Sequence, residues 1–213
     1  MAASPLVFEY RDPNKPSFWD ERFASQFTPW DQAGVPVDLQ RFVTQSAAPT
    51  STLIPGCGVG HEVRYLAELG WPVMAIDFSP LAIAAAHAEI GAYASHVVQA
   101  DFFSFAPPSA IHFIYERAFL CALPRSQWPD VVARWAQLLP VGGLLGGFFF
   151  FDDKASGPPF GADQPQLTAL LQPYFTLLED RPAQQSIPLF VGRERWQLWR
   201  RQEDTKPTAC SGE

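Results

Sequence analysis

A short apolar run that dissolves into glycines, Leu53-Ile54-Pro55-Gly56-Cys57-Gly58-Val59-Gly60, constrains this chain more than any other stretch. It reads as a strand entering a tight turn and then a helix. Gly56 and Gly58 let the backbone bend and approach a ligand with no Cβ in the way, and Gly60 permits close packing at the helix start. A second apolar strand, Ala75-Ile76-Asp77 followed by Phe78-Ser79, ends on a carboxylate. That carboxylate lies roughly 20 residues on, where an acid can hold a nucleotide ribose. Glycine turn, helix, strand and terminal acid in this order point to a nucleoside-containing cofactor.

The same alternation continues. Strands are expected at 52–55, 73–77, 97–100, 111–115 and 144–151, with helices at 60–70, 79–90 and 125–139. Ser79 is a natural N-cap with Pro80 at the first helical position, and Gly70 a natural C-cap. This predicts an α/β fold of Rossmann-like type, a mostly parallel sheet covered by helices on both faces. The C-terminal third differs: a helix at 164–171, then strands at 174–179 and 194–200 that form an antiparallel hairpin on one edge, completing seven strands. The expected organisation is one domain over 1–202, opened by an aromatic lead over about 1–50, with a frayed tail at 203–213.

Charge and cysteine content narrow the function. Lys+Arg 15 against Asp+Glu 22 leaves a net charge of −7, the wrong sign for a phosphate backbone, so nucleic acid is not expected as a partner. Cys57, Cys121 and Cys210 have neither metal-ligand spacing nor a disulfide framework, and no metal is expected. The start Met1-Ala2-Ala3-Ser4-Pro5 lacks a secretory signature, and the apolar run at 142–151 is too short to span a bilayer. A cytoplasmic monomer acting on a small molecule is the expectation.

In a sheet of this kind ligands bind beyond the carboxyl ends of the strands. There the sequence places the Gly56–Gly60 turn, Asp77, Asp101-Phe102 and Glu116-Arg117. The glycines fall as Gly-x-Gly-x-Gly and are followed by His61-Glu62. An acid at the helix start suits a ligand ammonium better than a pyrophosphate, which it would repel. The four histidines, His61, His87, His96 and His112, read as surface or structurally bonded side chains, so no strong general base is evident.

Beyond these local readings, the chain resembles the thiopurine methyltransferase family of class I S-adenosylmethionine-dependent methyltransferases, halide/thiol methyltransferases included. The resemblance runs from Phe18 to about Arg201. It rests on Phe18-Trp19-Asp20-Glu21-Arg22, Thr28-Pro29-Trp30-Asp31, Pro55-Gly56-Cys57-Gly58, Ile76-Asp77-Phe78-Ser79, Tyr115-Glu116-Arg117 and Gly157-Pro158-Pro159-Phe160. It implies S-adenosylmethionine as cofactor, with Trp19, Phe23 and Trp30 lining it, Pro55, Gly56 and Gly58 at its amino-acid end, and Asp77, Phe78 and Ser79 at its ribose. Asp101 and Phe102 would frame the adenine. Arg117 and Glu116 would stand at the cofactor or substrate edge and carry the catalytic role. Phe23 and Glu116 depart from the family pattern, where tryptophan and aspartate are usual. The implied reaction is methyl transfer to a small soft nucleophile: thiol, hydrosulfide, thiocyanate, halide or a thiopurine-type aromatic thiol. A cofactor-binding protein without turnover and a nicotinamide oxidoreductase are the alternatives.

Overall fold

Five largely apolar segments and two more polar ones build a single seven-stranded sheet: β1 (Thr52–Pro55), β2 (Val73–Asp77), β3 (Val97–Gln99), β4 (Phe113–Arg117), β5 (Leu144–Phe150), β6 (Phe175–Pro182) and β7 (Glu194–Arg201). The structure is a computed structural model and describes residues 7–154 and 156–203. The expected features of Met1–Pro5, of Cys210 and of most of the tail lie outside the described residues. The spatial order is β3-β2-β1-β4-β5-β7-β6. The pairs among β3, β2, β1, β4 and β5 are parallel, while β7 runs antiparallel to both β5 and β6. The chain builds outward from β1 through β2 to β3, then returns to the other side of β1 with β4. That reversal leaves a crevice above the carboxyl ends of β1 and β4.

Both faces are covered, which is why the inner strands carry apolar residues at consecutive positions rather than alternating ones. Leu53, Ile114 and Leu145 point to one side, against Val131 and Trp135 of α5 (Trp128–Leu138) and Leu167 of α6 (Gln164–Leu171). Ile54, Phe113 and Phe148 point to the other. There they meet α2 (Val37–Gln45), α3 (His61–Glu68) and α4 (Pro80–Ile90) through Leu39, Leu66 and Ala86. The starts of α4 and α6 follow from their caps. Ser79 Oγ accepts the Ala82 N–H at 3.0 Å. Asp163 and Gln166 close a reciprocal capping box.

The aromatic lead is helical in part: α1 (Pro16–Ala24) and α2 lie within it. The fourth strand differs from expectation in a way that matters for the site. It covers Phe113–Arg117, two residues beyond the expected end at Tyr115. Glu116 and Arg117 are therefore the last strand residues and not the first loop residues. The C-terminal hairpin forms as expected, and its second strand inserts between β5 and β6.

Candidate active site

A cavity of about 700 Å³ opens at the carboxyl ends of the central parallel strands. Its floor is the glycine turn after β1, the end of β2 and the end of β4; its outer wall comes from the aromatic lead. Gly56 and Gly58 take positive φ, at 62° and 54°, as the tight turn demands. A Cβ on Gly58 would meet nothing within 4 Å, so its backbone is open to a ligand, whereas one on Gly56 would stand 2.7 Å from the Phe119 ring.

Asp77 closes β2 and faces this space. Its Oδ2 accepts the Gly58 N–H at 3.2 Å and its Oδ1 the Ser79 N–H at 3.0 Å. A carboxylate offers about four lone-pair sites, so two hydrogen bonds leave both oxygens able to accept again. Burial raises the carboxyl to about 6; the backbone N–H groups oppose that shift and the neighbouring Asp20 adds to it.

The wall opposite is aromatic. Trp19 and Phe23 stand four residues apart on α1, hence on one helix face. Trp30 meets both edge-on, at centroid distances of 5.4 Å and 6.1 Å. Phe78, Asp101 and Phe102 also line the cavity. Asp101 is exposed and its Oδ1 also closes a local turn by accepting the Phe103 N–H at 3.0 Å.

Three expected residues are not in this wall: Pro55, Ser79 and Glu116. Pro55 ends β1 with its side chain buried. Ser79 is fully buried and spends its hydroxyl on the α4 cap and on Asp20. Glu116 follows from the strand boundary. Side chains alternate along β4, so Tyr115 and Arg117 face the cavity and Glu116 turns to the opposite face. There its carboxyl accepts the N–H groups of Phe119 and Leu120, fastening the turn that follows the strand. The reacting-edge role assigned to Glu116 is therefore corrected to one of shaping that turn. Burial raises its carboxyl to about 8. The unfolded chain releases this proton near the ordinary value of 4.5, and the folded chain holds it until about 8. Stability is thus highest below about 4.5 and declines as pH rises through about 8. Glu116→Gln keeps an acceptor oxygen without the charge. It is expected to raise the melting temperature above pH 8 and to change it little at pH 5; an equal effect at both pH values would contradict this.

Arg117 pairs with Glu62, the acid at the start of α3, at 2.7 Å between Nη1 and Oε1, and both line the cavity. The acid read as a partner for a ligand ammonium is thus present, but it shares its charge with Arg117. The Arg117 guanidinium also lies 5.4 Å from the Phe148 ring centroid.

Residues that the sequence did not single out as binding groups complete the walls. Tyr115, Phe119, Phe27, Leu189 and His61 are among them. No local pattern marks them, because they converge from separate elements. The ring nitrogens of His61 each face a carboxylate, Asp31 at 3.2 Å and Glu89 at 3.5 Å. His87, His96 and His112 bond to Val97 O, Val73 O and Ser51 Oγ. Burial, then the Asp77 charge, pushes the Cys57 thiol well above its ordinary value; burial, then Glu116, does the same to Cys121. Both are thereby held in the protonated thiol form. Among the described residues no cluster of His, Cys, Asp and Glu could hold a metal ion, and no helix is long and apolar enough to cross a membrane.

Comparison with known proteins shows the fold and the family. Among curated relatives, thiocyanate methyltransferase 1 of Arabidopsis thaliana is 28% identical over 195 residues, covering 86% of this chain and 84% of that protein. A thiopurine S-methyltransferase of Shewanella denitrificans is 29% identical over 203 residues, covering 84% of this chain and 93% of that protein. Among solved structures, Burkholderia thailandensis 1,6-didemethyltoxoflavin-N1-methyltransferase with bound S-adenosylhomocysteine superposes at a TM-score of 0.72 and 18% identity, over 94% of this chain and 95% of that one. The N-methyltransferase NodS from Bradyrhizobium japonicum gives 0.65 at 22% identity, over 78% and 85%. These superpositions establish the Rossmann-like methyltransferase fold with its antiparallel C-terminal strands. The sequence model of the family described as thiopurine S-methyltransferase matches residues 14–202. With that match spanning nearly the whole described fold, the chain belongs to the thiopurine S-methyltransferase family.

Proposed function

We propose that this chain moves the methyl group of S-adenosylmethionine to a small soft nucleophile: a thiol, hydrosulfide, thiocyanate or halide, with thiopurine-type aromatic thiols within its range. The observation that carries the reading is Asp77, held by two backbone N–H groups with accepting capacity left on both oxygens, at the foot of a cavity walled by Trp19 and Trp30. This is the complement of a ribose diol below and of a nucleoside and sulfonium beside aromatic faces.

The cofactor supplies an activated methyl on a positively charged sulfur. The residues here bind, orient and exclude water. Asp77 holds the ribose hydroxyls, Asp101 and Phe102 border the adenine, and the glycine turn, open at Gly58, receives the amino-acid end. Glu62 and Arg117 present opposite charges side by side, a match for a zwitterionic amino acid. In-line displacement depends mainly on alignment in a dry site, and the aromatic wall serves both. His61 has each ring nitrogen against a carboxylate and the other three histidines bond elsewhere. The nucleophile in this reading arrives already anionic and needs no base from the chain.

The test is methyl transfer from labelled S-adenosylmethionine across iodide, thiocyanate, hydrosulfide, thiophenol and 6-mercaptopurine. Transfer to any of these supports the reading, and the preferred acceptor names the branch. Binding of S-adenosylhomocysteine with no transfer to any would favour a binding protein. Thermal stabilisation by NAD instead would favour an oxidoreductase. Trp30→Ala is expected to slow turnover and to weaken S-adenosylmethionine binding by up to about 2 kcal/mol, the scale of a desolvated cation–aromatic contact with its sulfonium. If only the melting temperature falls, Trp30 is a packing residue.

A further inference from the structure

Asp20 has no part in the reading above, yet it joins the aromatic lead to the floor of the cavity. Its Oδ1 accepts the Ser79 hydroxyl at 2.6 Å and the Leu81 N–H at 3.2 Å. A carboxylate from α1 therefore sits on the first turn of α4, where unpaired N–H groups and the helix dipole favour negative charge. Ser79 donates its own backbone N–H to Asp77 at 3.0 Å. One buried serine thus grips two carboxylates, one from the lead and one from the cavity floor.

The helix that carries Asp20 needs such a grip. It is nine residues long and has no side-chain N-cap, so it is marginal by itself. Trp19 immediately precedes Asp20, Phe23 lies three residues after it, and both line the cavity. Wherever Asp20 docks, the aromatic wall is set with it.

We propose that Asp20 is a cofactor-positioning residue: through Ser79 it sets α1, and with it Trp19 and Phe23, against the Asp77 carboxylate. This rests on the reading of Asp77 as the ribose-holding group. Two properties of Asp20 can be separated. Its oxygen fixes geometry; its charge faces Asp77 and opposes ionisation there. The Cys57 thiol also interacts with Asp77, and burial keeps it neutral. Asp20→Asn keeps an acceptor oxygen and removes the charge, whereas Asp20→Ala removes both.

The experiment is calorimetric titration of S-adenosylhomocysteine into the full chain between pH 5 and pH 8, for wild type and both variants. At pH 8, Asp20→Ala is expected to bind about 10-fold or more weakly and Asp20→Asn within about 3-fold of wild type, as loss and retention of the acceptor oxygen imply. The acid limb of Asp20→Asn binding should also move to lower pH, which a purely structural role would not produce. Wild-type affinity in Asp20→Ala overturns the proposal. So does an Asp20→Asn variant as weak as Asp20→Ala at pH 8, or one whose acid limb stays where it is in wild type. Wild type that fails to bind S-adenosylhomocysteine refutes the Asp77 reading itself, and this proposal falls with it.

Discussion

Gly147→Ala is expected to leave no cooperatively folded protein. Gly147 stands on β5 opposite Glu116 of β4, at a φ of 150°. A Cβ built there would lie 1.8 Å from the Glu116 carbonyl oxygen, 2.7 Å from its carbon and 2.9 Å from its nitrogen. All three obstacles are backbone, so no rotamer change relieves them. The strands must separate at the centre of the sheet, and β4 is the strand that delivers Tyr115 and Arg117 to the cavity. The cost should exceed about 4 kcal/mol, a large share of the roughly 5–15 kcal/mol that holds a domain together. Gly142→Ala is the control. It too has positive φ, at 87°, but its Cβ would meet nothing within 4 Å. It should therefore cost only the left-handed backbone strain of about 1–2 kcal/mol. Circular dichroism during thermal and urea unfolding distinguishes the two; a Gly147→Ala protein that melts as wild type does would refute the argument.

The second large effect is on binding. Asp77→Ala should weaken S-adenosylhomocysteine by about 1–3 kcal/mol, because hydrogen bonds to a charged acceptor are lost. A pH dependence accompanies it. Burial raises the Asp77 carboxyl to about 6, so the charged form is disfavoured in the fold. Folding stability from this group is therefore highest below its ordinary range and declines as pH rises from about 4 to about 6. Cofactor binding has the opposite sign. The ribose hydroxyls need the ionised carboxylate, so affinity should be full above pH 6 and fall below it, approaching tenfold per pH unit. Calorimetry from pH 5 to pH 8 should show this limb in wild type and none in Asp77→Ala. Unchanged affinity in the variant would remove Asp77 from the site.

Much of this architecture was legible in short stretches of sequence, because its causes are local. The Gly56–Gly60 turn needs positive φ within a few residues, the apolar run before Asp77 has the length of a buried strand, and Ser79-Pro80 starts a helix by its own chemistry. Trp19 and Phe23 share a face as soon as their segment is helical. The fourth strand shows the limit of such reasoning. Its end is set by pairing along β5, which runs from Phe113↔Leu144 to Arg117↔Phe148, and no local pattern in Glu116-Arg117 announces that pairing. Two residues of extra strand were enough to send Glu116 into the interior and leave Arg117 in the cavity.

What the sequence by itself determined is therefore the α/β order, the glycine turn and the carboxylate that faces it, all consequences of backbone preference and hydrophobic period. Only the tertiary structure decided which charges meet. Glu62 and Arg117 are 55 positions apart and Asp20 and Ser79 are 59. Such pairs form because the sheet order and the docking of α1 bring their elements together, and that depends on packing across the whole core rather than on any stretch of chain.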